Sequence, residues 1–424
     1  MLRIETRLRE RFARAPASNQ PVATSIAAVV RPALLLPAFL LLVTAGALYA
    51  AGIGEDGPYG GYEVWALDQG TNIIHILQPD SSAADAFSVI DTVDLGAYAA
   101  AEIDMPHMID FTRDYQYAVI ASPASANTTV IRTEDREVIA VLDTGPGTHM
   151  ASFTPDDSRI IVDVIADGTV VEIDADLANE RFEIARVLEV AEDPLVQERA
   201  EHFSRDDDGE LLTQPVCHDY ANGGRHAYIT LGPGLADGGL VVLDLESFEA
   251  VAAYGPEEVS VNCGTVAHPD DSRFYVNGGS VEEGHWYVFD TNTHEPIPGA
   301  DGEIRRSSEG RDAHGVWVTP DGSELWMVNR ASSDGIVIDP ETDEVIDFIE
   351  WTGQSPDILT FSPDGEFAFI TLRGPEQRSG PHAIAGDTPG VSVMNVATRE
   401  IHAILELDPE RGESDFHGIG LREL

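Results

Sequence analysis

The chain has 424 residues, with 25 basic against 74 acidic side chains and a formal net charge of −49. So acidic a chain has little with which to neutralise phosphates, which argues against a nucleic-acid partner. Hydrophobic residues make up 43% of it and fall in regular runs, which excludes an acidic disordered protein. Every basic residue is an arginine. A self-repelling charge of this size is screened at high salt, so the composition reads as an adaptation to a salty environment.

Residues 1–31 are arginine-rich, with Arg3, Arg7, Arg9, Arg11, Arg14 and Arg31. The apolar run ALLLPAFLLLVTAGALYAAG follows, from Ala33 to Gly52. About 20 apolar residues span a bilayer as a helix, so residues 32–53 are predicted to be a transmembrane anchor. The positive flank places residues 1–31 in the cytoplasm and the body outside the cell membrane. Cleavage near Ala45-Gly46-Ala47 is the competing expectation and would make the protein secreted. Residues 54–60 read as a linker, and residues 61–424 as one domain.

That domain begins with three strand signals, YEVWALD, NIIHIL and FSVIDTVDL. Repeats of about 40–50 residues follow, each with four short strands broken by PDG, PDD, NGG or PETD turns. Their first strands begin around HMIDFTRD, HMASFTPD, HDYANGG, CGTVAHPD, HGVWVTPDG and DILTFSPDG. Two long intervals mark insertions, at Ala191–Pro215 and Gly374–Pro389. The last strand, GIGLREL, lacks three partners, and the first three strands lack one. Together they make one blade. The predicted fold is all-β, a seven-bladed β-propeller closed by one C-terminal and three N-terminal strands, which leaves no long unpaired edge.

One register of the innermost strands collects ligand-type side chains. It holds His107, His149, Cys263, His314 and Asp357, and His218 and His417 fit it less tidily. In a propeller these positions share one mouth of the central channel, so all seven are expected to form a ring. Imidazole, thiolate and carboxylate are ligands for copper, zinc and iron. A structural bond to a neighbouring strand is the alternative for each histidine. Cys217 and Cys263 are either one disulfide or free thiols. Loops on the same face carry His285, Asn329, Arg330, Arg373, Arg378 and His382. Arg330 and Arg373 are expected to attract an anionic small molecule, with salt bridges to nearby acids as the alternative. Trp65, Trp286, Trp317 and Trp326 are expected to pack between blades. No GxSxG, P-loop or Rossmann signature stands in its required context, so no catalytic residue is assigned.

Phrases such as SPDILTFSPDG, FTPDDSRIIV and VTPDGSELWMVN resemble the YVTN-type, YncE-like propeller repeat. Pro106 and Pro356 match its proline, and Asn277 and Asn329 its asparagine. The resemblance covers about residues 61–424. It implies the architecture but not the activity, because such propellers serve as enzymes, electron-transfer modules and scaffolds. The ring is also similar to the catalytic domain of nitrous oxide reductase at His107, His149, His218, His314 and His417. That likeness implies copper with a redox role and a redox partner, with zinc or iron as alternatives. Cys263, Asp357 and the lack of a cupredoxin domain depart from it and argue against nitrous oxide reduction. The haem d1 propeller of cytochrome cd1 nitrite reductase resembles the chain in fold, but its CxxCH motif is absent. The expected function is metal or small-ligand binding at the ring. A non-enzymatic, protein-binding scaffold is the alternative.

Overall fold

The structure is a computed structural model that describes residues 61–232, 238–261, 263–379, 384–407 and 412–424. The expected anchor over 32–53 and His382 lie outside the described residues. Among the described residues no helix is long and apolar enough to cross a membrane.

Among the described residues, twenty-eight strands, numbered β1 to β28 in chain order, form seven four-stranded sheets. Six sheets take four consecutive strands. The seventh joins β28 (Phe416–Glu423) to β1 (Tyr62–Asp68), β2 (Ile73–Pro79) and β3 (Phe87–Asp94). Val64 faces Leu421 and Trp65 faces Gly420 across that seam. The predicted closure and blade count therefore hold.

The innermost strands are β4 (Met108–Phe111), β8 (Thr148–Phe153), β12 (Gln214–Ala221), β16 (Thr265–Ala267), β20 (Ala313–Val318), β24 (Pro356–Phe361) and β28. Each touches the next, and β28 touches β4, so they ring the axis. The core lies between blades rather than at one centre. Trp65, Leu67 and Ile76 of the closing blade pack on Ile109, Ala118 and Ile120 of the next. Second strands such as β5 (Tyr117–Ser122, YAVIAS) are buried on both faces, which is why they read as continuous apolar runs. Fully burying one such aliphatic side chain contributes roughly 1.5–3 kcal/mol. Outer strands such as β23 (Glu344–Ile349, EVIDFI) are largely exposed.

The first insertion is folded. Asp193 accepts hydrogen bonds from the Leu195 and Val196 N–H groups and starts a short helix at Pro194. Val196, Phe203 and Leu211 then join the core shared by the second and third blades. Trp65, Trp286 and Trp326 are buried as expected, but Trp317 is 44% exposed. It stands three residues beyond His314 on β20, a register that faces the axial cavity instead of a neighbouring blade.

Candidate metal centre

Local backbone irregularities aim the ring side chains. Strand pairing slips between Thr148 and Met150, Pro215 and His218, Ala313 and Val316, and Pro356 and Leu359. A bulge of this kind inserts an extra residue and re-aims its side chain. His149, Cys217, His314 and Asp357 sit in these slips. His417 occupies a similar one against β1. His107 and Cys263 lie just before the first paired residues of β4 and β16. Gly315 lets the next blade in close, since a Cβ there would lie 2.2 Å from the Asp357 carbonyl oxygen.

The third blade corrects the expected ring. Its axial position is Cys217, not His218. The bulge carries an extra residue, so His218 turns away from the ring and bonds Asp163 at 2.7 Å. Cys217 instead forms a disulfide with Cys263, at a Cα separation of 5.0 Å. Cys263 therefore offers no thiolate in this state. The ring is His107, His149, the cystine, His314, Asp357 and His417. His149 is half-buried and the rest are buried. Ligand atoms of His314, Asp357 and His417 fall within 4.8 Å of one another, as do those of His149, Cys217 and Cys263.

The hydrogen bonds assign the tautomers. Gln69 must turn Nε2 toward the Asp415 carboxylate, 2.8 Å away. Its Oε1 then faces His107 Nδ1 at 2.7 Å, so that nitrogen carries the proton. His149 Nδ1 donates to the Val216 carbonyl at 2.9 Å. The two Nε2 atoms face each other at 2.9 Å. His417 repeats the pattern: Nδ1 donates to the His107 carbonyl at 3.2 Å, and Nε2 lies 3.6 Å from Asp357 Oδ2. His417 also stacks on His107 with ring centroids 3.6 Å apart. His314 Nδ1 comes within 2.8 Å of Asp357 Oδ1 without hydrogen-bond alignment.

Asp357 is the hub of the charges. It takes Arg330 Nη1 at 3.2 Å and Arg373 Nη1 at 2.7 Å. Arg330 also binds Asp312 at 2.8 Å, and Arg373 binds both oxygens of Asp415. Both guanidiniums are buried and engaged, so they are not held out toward an anion as expected. Three carboxylates thus meet two guanidiniums here. Burial, with His417, His149 and Arg373 adding to it, pushes His107 well below the usual imidazole range. Burial does the same to His417 against the pull of Asp357. Burial would raise the Asp357 carboxyl, but His417, His314, Arg373 and Arg330 outweigh it and hold it well below the usual range.

The other expected ligand residues serve the scaffold. His285 bonds the Ser260 carbonyl at 2.6 Å, and Asn329 bonds Ser308 and Asp334. Asn277 donates to the His314 carbonyl at 2.7 Å and so ties two blades at the ring. Ser379, in the second insertion, caps Arg373 at 2.8 Å, and the Arg378 N–H binds Asp415. Asp312 and Asp415 were missed, although both stand in the repeated pattern Asp-x-His, at 312–314 and 415–417.

Fold and site together define a seven-bladed β-propeller with a buried polar ring on its axis. No protein-family description matches the chain, and no curated protein does. Among solved structures it is similar to hydrazine synthase of Kuenenia stuttgartiensis, with a TM-score of 0.52 and 13% identity over 77% of this chain and 89% of that one. It is also similar to dihydro-heme d1 dehydrogenase NirN in complex with DHE, with a TM-score of 0.53 and 13% identity over 84% of this chain and 74% of that one. At such identity the likeness is one of fold. The expected kinship with haem d1 propellers holds at that level, and membership of the YVTN family is not established.

Proposed function

We propose that the propeller holds a transition-metal ion at the axial ring, through the imidazoles of His314 and His417 and a carboxylate oxygen of Asp357, with His107 and His149 beside them. One observation carries this: ligand atoms of His314, Asp357 and His417, all three buried, lie within 4.8 Å of one another. The outer Nδ1–H groups are fixed on carbonyl oxygens and Gln69, as second partners fix the histidines of metal sites. Neutral imidazole is also the form that binds metal.

Copper with a redox role is the metal we favour, since a nitrogen and oxygen donor set without thiolate suits Cu(II). Zinc and iron are the alternatives. The engaged arginines weigh against an anionic ligand and in favour of a redox partner. The Cys217–Cys263 disulfide supports an oxidising compartment, in line with an extracytoplasmic body behind an anchor at residues 32–53.

Elemental analysis of protein purified at high salt tests this. The expected result is one equivalent of metal, lost in a His314→Ala/His417→Ala variant that keeps the wild-type far-UV spectrum. Folded wild-type protein that takes up no copper, zinc or iron on titration would overturn it and leave the scaffold alternative.

A further inference from the structure

The far side of the ring opens into a cavity of about 530 Å³ that runs to the other mouth of the channel. The register three residues beyond the ring lines it, with Asp110, Ser152, Tyr220, Trp317 and Thr360. Ser152 Oγ lies 2.7 Å from His218 Nε2. His218 Nδ1 lies 2.7 Å from Asp163 Oδ2, on the neighbouring strand β9 (Arg159–Val164). Asp163 fixes the proton on Nδ1 and leaves the Nε2 lone pair on the serine. A hydroxyl, an imidazole and a buried carboxylate in this order are the parts of an activated serine nucleophile.

We propose that Ser152, His218 and Asp163 form a hydrolytic site for small uncharged or cationic esters that enter the axial cavity. Ser152 Oγ adds to the ester carbonyl carbon as its proton passes to His218 Nε2. The adduct then expels the alcohol oxygen, which takes that proton. Water, deprotonated by His218, attacks the acyl-serine, and Ser152 departs with its proton restored. The sum is ester plus water to acid plus alcohol. Ser152 Oγ here donates to the Tyr220 hydroxyl at 2.9 Å, so in the reaction the serine proton turns to His218 and Tyr220 offers its own proton to the oxyanion. It now spends its proton on the Ser152 carbonyl at 3.1 Å.

The walls set the substrate class. Met108, Phe153, Trp317 and Phe361 offer apolar surface, and the volume suits a small molecule. Asp110 and Asp219 line the same cavity and bond only backbone N–H groups of Phe153, Tyr220 and Ala267. They disfavour an anionic substrate. The site needs no metal, so it stands or falls apart from the ring.

A fluorophosphonate probe, followed by peptide mapping, tests the nucleophile, and hydrolysis of p-nitrophenyl butyrate tests turnover. Both are run with chelator present. The expected result is label on Ser152, with hydrolysis lost in Ser152→Ala. Asp163→Asn keeps the side-chain shape and should slow labelling and turnover by about 10²–10⁴-fold, since it leaves the wrong tautomer. A hydrogen-bond relay with only a structural role would not react with the probe. Folded wild-type protein that is unlabelled at Ser152, or labelling undiminished in Asp163→Asn, would overturn the proposal.

Discussion

The two ends of the axial channel bury carboxylates in opposite company. At the ring, Asp357 meets Arg330, Arg373 and two imidazoles, and its carboxyl is held well below the usual range. In the cavity, Asp110 and Asp219 accept hydrogen bonds from backbone N–H groups and, among the described residues, from no guanidinium. Burial then dominates and pushes them up to about 7 and about 6. Asp110 stands only three residues after His107 on the same strand. Partners, not depth, thus decide which end stores charge and which stores a proton.

Removing a partner at the ring should be the most damaging change. Arg373→Met leaves Asp357 and Asp415 buried without their shared cation. We expect a loss of about 3–5 kcal/mol in denaturant unfolding, as for other broken buried pairs. If Arg373→Met cost no more than a surface substitution, the contrast between the two ends would fail. Opening the cystine comes next. Cys217→Ser/Cys263→Ser should cost about 2–4 kcal/mol, read as a lower unfolding temperature that dithiothreitol no longer shifts.

Gly315→Ala tests the close approach of blades at the ring. Its Cβ would press on the Asp357 carbonyl oxygen, and overpacking of this kind costs about 1–3 kcal/mol. The same substitution at Gly168, where a Cβ meets nothing within 4 Å, probes only the backbone strain of a positive φ and separates the two effects.

The smallest effect sharpens the cavity end. Between its ordinary pKa of 3.8 and about 7, Asp110 keeps a proton when folded that the unfolded chain has lost. Its contribution is therefore present in acid and is lost as pH rises through about 7. Asp219 and His218 face it, Asp219 raising and His218 lowering its carboxyl. Asp110→Asn should raise the unfolding temperature at pH 8 by about 1–2 °C and leave it unchanged at pH 4. Equal effects at both pH values would count against a stored proton.

The blade count, the closing seam and six of the seven ring positions were legible from strand spacing alone. His218 was misplaced by one residue, since the third blade carries the same bulge as those at His149, His314 and Asp357 and keeps their register with Cys217 in the slot. Counting back four residues from Ala221, as in the other blades, finds Cys217. Salt bridges of Arg330 and Arg373 were legible as an alternative, but not their partners, because Asp312 lies before its strand and Asp415 in the next blade. Ser152, His218 and Asp163 form no linear motif. Two blades contribute them, and only the bulge at Cys217 turns His218 toward the other two.

The disulfide joins consecutive blades across 46 residues of chain. Any single backbone cut between Cys217 and Cys263 therefore leaves one covalent molecule. A nicked protein would migrate as full length on a non-reducing gel and separate into two fragments only on reduction. Damage in the third blade would be repaired in effect by topology, while a cut in any other blade would release a piece of the chain.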